Sequence, residues 1–176
     1  LVLWNLGRTL WSARPLPLPA RFVFVGLLSM AATVTLGIIF ALVLGGDAAS
    51  SIPVELTAFG LPIHIVAGIG GWLTFTAMGV SYRLLSMFML APELDRLTSR
   101  ITLYAGTCAL TVGIIGGILT VLIDGNLDLA LVAAGAIGLV ALVLYGADVL
   151  HLYRARKRRK IELNSRMAAF ALVSLA

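Results

Sequence analysis

Four long apolar stretches constrain this chain more than any other feature of its sequence. They lie at about 22–45, 62–90, 101–123 and 129–153 and contain almost no charged residues. A helix needs about 20 apolar residues to cross the hydrocarbon core of a bilayer, so each stretch is long enough for one crossing. In lipid, a spanning segment must satisfy its own backbone polar groups, which a helix does. The sequence therefore predicts an all-α fold: a polytopic transmembrane helix bundle with four full spans.

The composition agrees with a membrane protein. Charged residues make up 12% of the 176-residue chain, whereas about 25% is typical of soluble domains. We expect a single transmembrane helical domain at 22–176, in which a fifth span starts near Met167, preceded by an interfacial segment at 1–21. That segment contains tryptophans and arginines, a combination typical of headgroup depth. Because the chain begins with Leu1 and ends inside an apolar run, we expect it to be part of a longer protein.

The basic residues predict how the spans are oriented. The two connections at 46–60 and 124–128 contain acidic residues and no basic ones. All of the basic residues lie at the opposite ends of the spans: Arg8, Arg14, Arg21, Arg83, Arg96, Arg100, Arg154, Arg156, Lys157, Arg158, Arg159, Lys160 and Arg166. The positive-inside rule then places the N-terminus in the cytoplasm and both acidic connections outside. We expect a bacterial inner membrane, with these connections in the periplasm. The basic run at 154–160 is interpreted as a lipid-facing anchor rather than a nucleic-acid site.

The second apolar stretch contains His64, which is predicted to lie in a span near its outer end. Steps of three and four residues from it predict one helix face: His64, Gly68, Gly71 or Trp72, Phe75, Gly79, Tyr82 and Ser86. A histidine at membrane depth is costly and is a candidate functional residue. It can be an axial haem ligand, with the glycines making room for the macrocycle. It can also be an interface histidine bonded to a carbonyl or water, which the residues alone favour because His64 lies near the start of the helix.

The same stretch resembles a helix of a known family. His64, the glycines, Trp72 and the run GVSYRLLSMF at 79–88 resemble the second helix of proteins related to the haem–copper oxidase catalytic subunit, which include nitric oxide reductases. In that family a histidine near the outer end of this helix ligates the low-spin haem, and a Gly-x-x-Tyr-x-Leu run closes the helix on the inner side. This sequence departs from the pattern at Ser86, where proline is frequent, and at Val66, where some relatives have a second histidine.

The resemblance implies a b-type haem whose iron is bound by His64, with Gly68, Gly71 and Trp72 beside it. The other histidine, His151, is expected near the opposite side of a hydrocarbon core about 30 Å thick. It cannot bind the same iron. A second axial ligand is therefore expected from residues beyond Ala176 or from another subunit.

The apolar stretches also contain a carboxylate and a cysteine. Asp148 is followed by His151 on the same predicted helix face. A carboxylate in a membrane span can be part of a proton-transfer path, but at the interface local pairing with His151 or with the arginines that follow is favoured. The single cysteine, Cys108, excludes an intramolecular disulfide and a cysteine-clustered metal site.

Two functions follow as hypotheses. The first is an integral membrane redox protein or subunit that resembles the haem–copper oxidase catalytic subunit, with a b-type haem. The second is a non-catalytic structural or assembly subunit of a larger membrane complex, which packs through glycine-rich helix faces. Both imply as partners the lipid bilayer and further transmembrane helices, from this chain or from other subunits, and neither implies nucleic acid.

Overall fold

The computed structural model describes residues 1–46, 50–92 and 95–157, together with Met167, Phe170 and Ala171. In these residues it has six helices and no strand: α1 (Val2–Ser12), α2 (Leu18–Leu44), α3 (Ser51–Phe59), α4 (Leu61–Met89), α5 (Leu97–Leu122) and α6 (Leu127–Arg154). The helices α2, α4, α5 and α6 are long and apolar enough to cross a membrane. The predicted all-α bundle with four spans is confirmed. The predicted fifth span falls almost entirely outside the described residues.

Two spans, α2 and α5, begin about one helical turn earlier in the chain than the hydropathy pattern predicts. α2 begins at Leu18, because Pro19 occupies the first turn, where its missing N–H is not needed. α5 begins at Leu97, in a polar stretch. There Nε and Nη2 of Arg100 each donate to an oxygen of Asp95 at 2.8 Å, which ties the preceding turn to the first turn of the helix. The same hydrogen bonds lower the pKa of Asp95.

The acidic connection at 46–60 is not the plain loop that was expected, because it contains α3. Leu56 of α3 is buried, and the helix contacts α2 and α5. The chain passes directly from α3 into α4 at Gly60, where an added Cβ would overlap the carbonyl oxygen of Leu56. A helix this short has too few periodic apolar positions to stand out in a sequence. Within the segment 1–21, α1 buries none of its side chains.

The four long helices form two closely packed pairs, α2 with α4 and α5 with α6, and α4 contacts both α5 and α6. Glycines lie at the closest approaches. An added Cβ on Gly79 would lie 2.6 Å from the carbonyl oxygen of Pro19, and one on Gly26 would lie 2.7 Å from Oγ1 of Thr76. A Cβ on Gly71 would overlap Ser29. Small residues therefore allow α2 and α4 to approach backbone to backbone, which is how helices associate in lipid.

Successive long helices run in opposite directions, which defines two ends of the bundle. We call the end where α4 begins and α5 ends the outer end, and the end where α4 and α6 end the inner end. Two π-helical segments interrupt the α-helical pattern, Val66–Leu73 in α4 and Val112–Gly116 in α5, and they contact each other. Such turns are rare in proteins overall, and those that occur are often found at functional sites. The segment in α4 begins two residues after His64 and contains Gly68, Gly71 and Trp72.

The closest α2–α4 contact gives a prediction about stability. We expect Gly71→Ala to lower the free energy of unfolding in detergent by about 1–3 kcal/mol, because its methyl group would push Ser29 and α2 away from α4. The matched control is Gly135→Ala on α6, where an added Cβ meets nothing within 4 Å. Reversible denaturation followed by circular dichroism measures both. Equal stabilities of the two variants would contradict this account of the α2–α4 interface.

Candidate functional site

His64 lies near the start of α4, at the outer end of the bundle, and its ring packs against α2. The ring centroids of His64 and Phe40 are 5.5 Å apart. Gly37 faces the imidazole as well, and an added Cβ there would lie 3.4 Å from Cε1 of His64. The side chain is half-buried. Packing against α2 therefore fixes the position of the imidazole.

The hydrogen bonding of this imidazole is incomplete. Its Nδ1 is buried, and within the part of the chain that the structure describes it has no hydrogen-bond partner. A buried polar atom without a partner costs about 1–3 kcal/mol, so such atoms are few in folded proteins. The interface interpretation expects a carbonyl or a water beside the ring, and the described residues supply no carbonyl to Nδ1. Because Nδ1 is enclosed, a group from outside these residues would reach the half-buried side chain at its other ring atoms.

The other predicted site residues differ in how far they are exposed. Gly68 is half-buried, with Thr33 of α2 at ordinary contact distance from an added Cβ, and the Trp72 side chain is 40% exposed. Gly71 is buried, and Ser29 fills the space beside it. His64, Gly68 and Trp72 therefore lie at or near the surface of the bundle, whereas Gly71 lies inside the α2–α4 interface.

A second group of polar side chains lies at the inner end and is centred on Asp148 of α6. This carboxyl is 1% exposed. The Tyr82 hydroxyl of α4 donates to Oδ2 at 3.0 Å, and the Thr98 hydroxyl of α5 donates to Oδ1 at 2.5 Å. Asp148 thus joins three spans through hydrogen bonds. Such bonds between helices are one of the ways in which transmembrane segments are held together.

More hydroxyl groups surround this carboxyl. The hydroxyls of Ser81 and Tyr145 are 2.6 Å apart and link α4 to α6 a second time. The rings of Tyr82 and Tyr145 meet edge to face with centroids 5.3 Å apart. Ser99, next to Thr98, is completely buried, and its Oγ has no partner among the described residues. The inner end therefore contains a polar cluster that these contacts join: Ser81, Tyr82, Thr98, Tyr145 and Asp148.

The structure does not show the expected pairing of Asp148 with His151, and the arginines at 158 and 159 lie outside the described residues. Its hydrogen bonds run to Tyr82 and Thr98 on neighbouring helices, not to His151 three residues further on. The reason is orientation, because Asp148 points into the bundle and is buried while His151 is only half-buried. The sequence held one usable signal, the spacing of three residues between Tyr145 and Asp148, which places both on one helix face. Thr98 was missed because the predicted start of α5 excluded it.

Comparison with known proteins does not extend the resemblance described above. No protein-family model, no curated protein and no solved structure matches this chain. The assignment of function therefore depends on the local geometry of its own residues.

The contact between Tyr82 and Asp148 predicts a loss of stability on removal of one oxygen atom. We expect Tyr82→Phe to lower the free energy of unfolding by about 1–3 kcal/mol, because a buried carboxyl then loses one of its two hydroxyl donors. The control is Tyr104→Phe on α5, where the ring is 64% exposed and the expected change is within about 0.5 kcal/mol. Denaturant titration in detergent micelles gives both values. If Tyr82→Phe is as mild as Tyr104→Phe, the bond contributes nothing to folding.

Proposed function

We propose that the protein is a membrane-embedded redox protein, or a redox subunit of a larger complex, in which His64 ligates the iron of a b-type haem. The observation that supports this most directly is the position and burial of the His64 side chain. It is half-buried at the end of a spanning helix, and its buried Nδ1 has no partner among the described residues. Histidine is a frequent axial ligand of haem iron. A haem bound there would supply one-electron transfer.

The surroundings of His64 fit a flat group that approaches from outside the four-helix bundle. Trp72 is partly exposed on α4, and the half-buried Gly68 lies between it and His64, with its Cβ position toward Thr33 of α2. On the α2 side, Phe40 and Gly37 hold the imidazole. We assign Gly68 and Trp72 to the walls of the proposed haem site. Gly71 is assigned to the packing that holds α4 against α2, since Ser29 already fills its neighbourhood.

The proposed site is incomplete within these four spans. His151 lies in the last turn of α6, at the inner end, whereas His64 lies in the first turns of α4, at the outer end. One iron cannot be bound by both. A second axial ligand would have to come from helices that follow residue 176 or from another subunit, and these would also cover the exposed side of Trp72. The partners in this proposal are therefore further transmembrane helices.

An absorption spectrum tests the haem proposal directly. We expect the protein, purified with its complete chain and associated subunits, to show a Soret band that is lost in His64→Ala. The matched control is His151→Ala, which removes the same side chain at the opposite end of the bundle and should keep the band. A fully assembled protein without any Soret band, or a band that survives in His64→Ala, would refute the assignment of His64.

The second candidate function is a non-catalytic structural or assembly subunit of a membrane complex. It is favoured by the use of glycine in this chain: Gly26, Gly71 and Gly79 lie at close contacts between α2 and α4, where they serve helix packing and no cofactor. In this role the exposed side of α4 binds another subunit rather than a cofactor. A colourless protein that assembles normally into its complex is the outcome that supports this candidate over the first.

We further propose that the protein lies in a bacterial inner membrane with its inner end in the cytoplasm. Integral membrane insertion itself agrees with the four apolar helices. The orientation follows from the basic residues of 1–21 and 154–160, which the positive-inside rule assigns to the cytoplasm.

Cysteine labelling tests this orientation. In a Cys108→Ser background, we expect Asn126→Cys, in the connection between α5 and α6, to react with a membrane-impermeant maleimide on intact spheroplasts. Ala155→Cys, just after α6, should react only after the membrane is permeabilised. The opposite labelling pattern would reverse the proposed topology.

A further inference from the structure

The carboxyl of Asp148 is chemically the least expected group in the interior of this bundle. A charged side chain in a membrane span is expensive unless it is paired, and it marks functional sites in many membrane proteins. We propose that Asp148 is a proton-binding site, which exchanges its proton with water at the inner end of the bundle through the hydroxyl of Thr98. This proposal does not depend on a haem at His64.

The partners of Asp148 allow both protonation states. Tyr82 and Thr98 offer hydroxyl groups, and a hydroxyl can donate a hydrogen bond to a carboxylate or accept one from a carboxylic acid. An arginine or lysine has only donors and would favour the ionised form alone. A site built from hydroxyls can therefore gain and lose a proton without loss of its hydrogen bonds.

The position of the partners indicates the side from which the proton arrives. Thr98 lies in the first turn of α5 and is half-buried, so its side chain is partly accessible at the inner end. Tyr82, which donates to the other carboxyl oxygen, is 2% exposed and lacks this access. The chain of hydroxyl and carboxyl groups thus begins at the inner surface with Thr98 and ends in the interior with Tyr82.

The ionisable residues around this position come from three helices. α4 contributes Tyr82 and Arg83, α5 contributes Arg100, and α6 contributes Tyr145 and His151. Of these, Tyr82 contacts the carboxyl directly, and Arg100 forms its ion pair with Asp95. Among the described residues, the groups in direct hydrogen-bond contact with Asp148 are the hydroxyls of Tyr82 and Thr98, which is the arrangement that the proposal requires.

The proton transfer balances with water as the only co-reactant. A hydronium ion at the inner end gives a proton to Oγ1 of Thr98, while the Thr98 hydroxyl passes its own proton to Oδ1 of Asp148. The products are water, an unchanged threonine and a neutral carboxylic acid. Release of the proton is the reverse of these steps.

Infrared spectroscopy of the complete purified protein tests the proposal. We expect a carbonyl-stretch band of a protonated carboxyl that is lost in Asp148→Asn and that titrates reversibly within the pH range in which the protein stays folded. We expect Thr98→Val to keep the band but to slow its shift after transfer to D₂O severalfold. The matched control is Asp128→Asn in the exposed first turn of α6, which should change neither the band nor its exchange rate.

Each result decides one part of the proposal. If no band is assignable to Asp148 at any pH at which the protein is folded, the carboxyl is permanently ionised and binds no proton. A band that stays constant over that whole range means that the proton is never released. Exchange that is equally fast in Thr98→Val and in the unchanged protein refutes the path through Thr98. Should Asp148→Asn fail to fold, Asp148→Glu keeps a carboxyl and identifies the band by its change in frequency.

Discussion

The close contact between α2 and α4 is the interaction on which the rest of the structure depends. Lipid tails are as apolar as the side chains, so helices in a membrane gain little from burying apolar surface and associate through tight packing. Gly26, Gly71 and Gly79 supply that packing here. With the two backbones this close, the Phe22 ring lies 5.6 Å from Phe75 and 5.3 Å from Tyr82, measured between ring centroids. The same contact turns the Tyr82 hydroxyl toward α6 and places His64 beside Phe40.

The buried polar groups at the two ends of the bundle differ in their hydrogen bonds. At the inner end the Asp148 carboxyl receives hydrogen bonds from two other spans. At the outer end the Nδ1 of His64 receives none from the described residues. A satisfied carboxyl stabilises the arrangement of α4, α5 and α6, whereas an unsatisfied imidazole costs free energy within this chain. The carboxyl is therefore fixed by contacts within the bundle, whereas the imidazole is fixed by packing against Phe40 and Gly37.

The sequence predicts the spans well because their signal depends only on the thickness of the bilayer and the absence of charge. His64 and Asp148 were recognisable as candidates because ionisable residues are rare at membrane depth. Their partners were not recognisable. Thr98 precedes the apolar part of α5, and its contact with Asp148, fifty positions further along the chain, arises from the packing of α5 against α6. α3 was not predicted, because it is short and Leu56 is its one buried residue.

The π-helical segment of α4 changes the number of residues per turn between His64 and Tyr82. Each bond in such a turn spans five residues instead of four, so the segment at 66–73 contains more residues per turn than an α-helix. Trp72 is exposed and its neighbour Gly71 is buried, as adjacent residues on opposite sides of a helix surface can be. The wider turn takes up an additional residue over nearly the same rise. Loss of one residue from an α-helical part of α4 would therefore rotate the turns on either side of it by about 100° against each other, whereas loss of one residue within 66–73 would restore α-helical winding and leave the imidazole against α2.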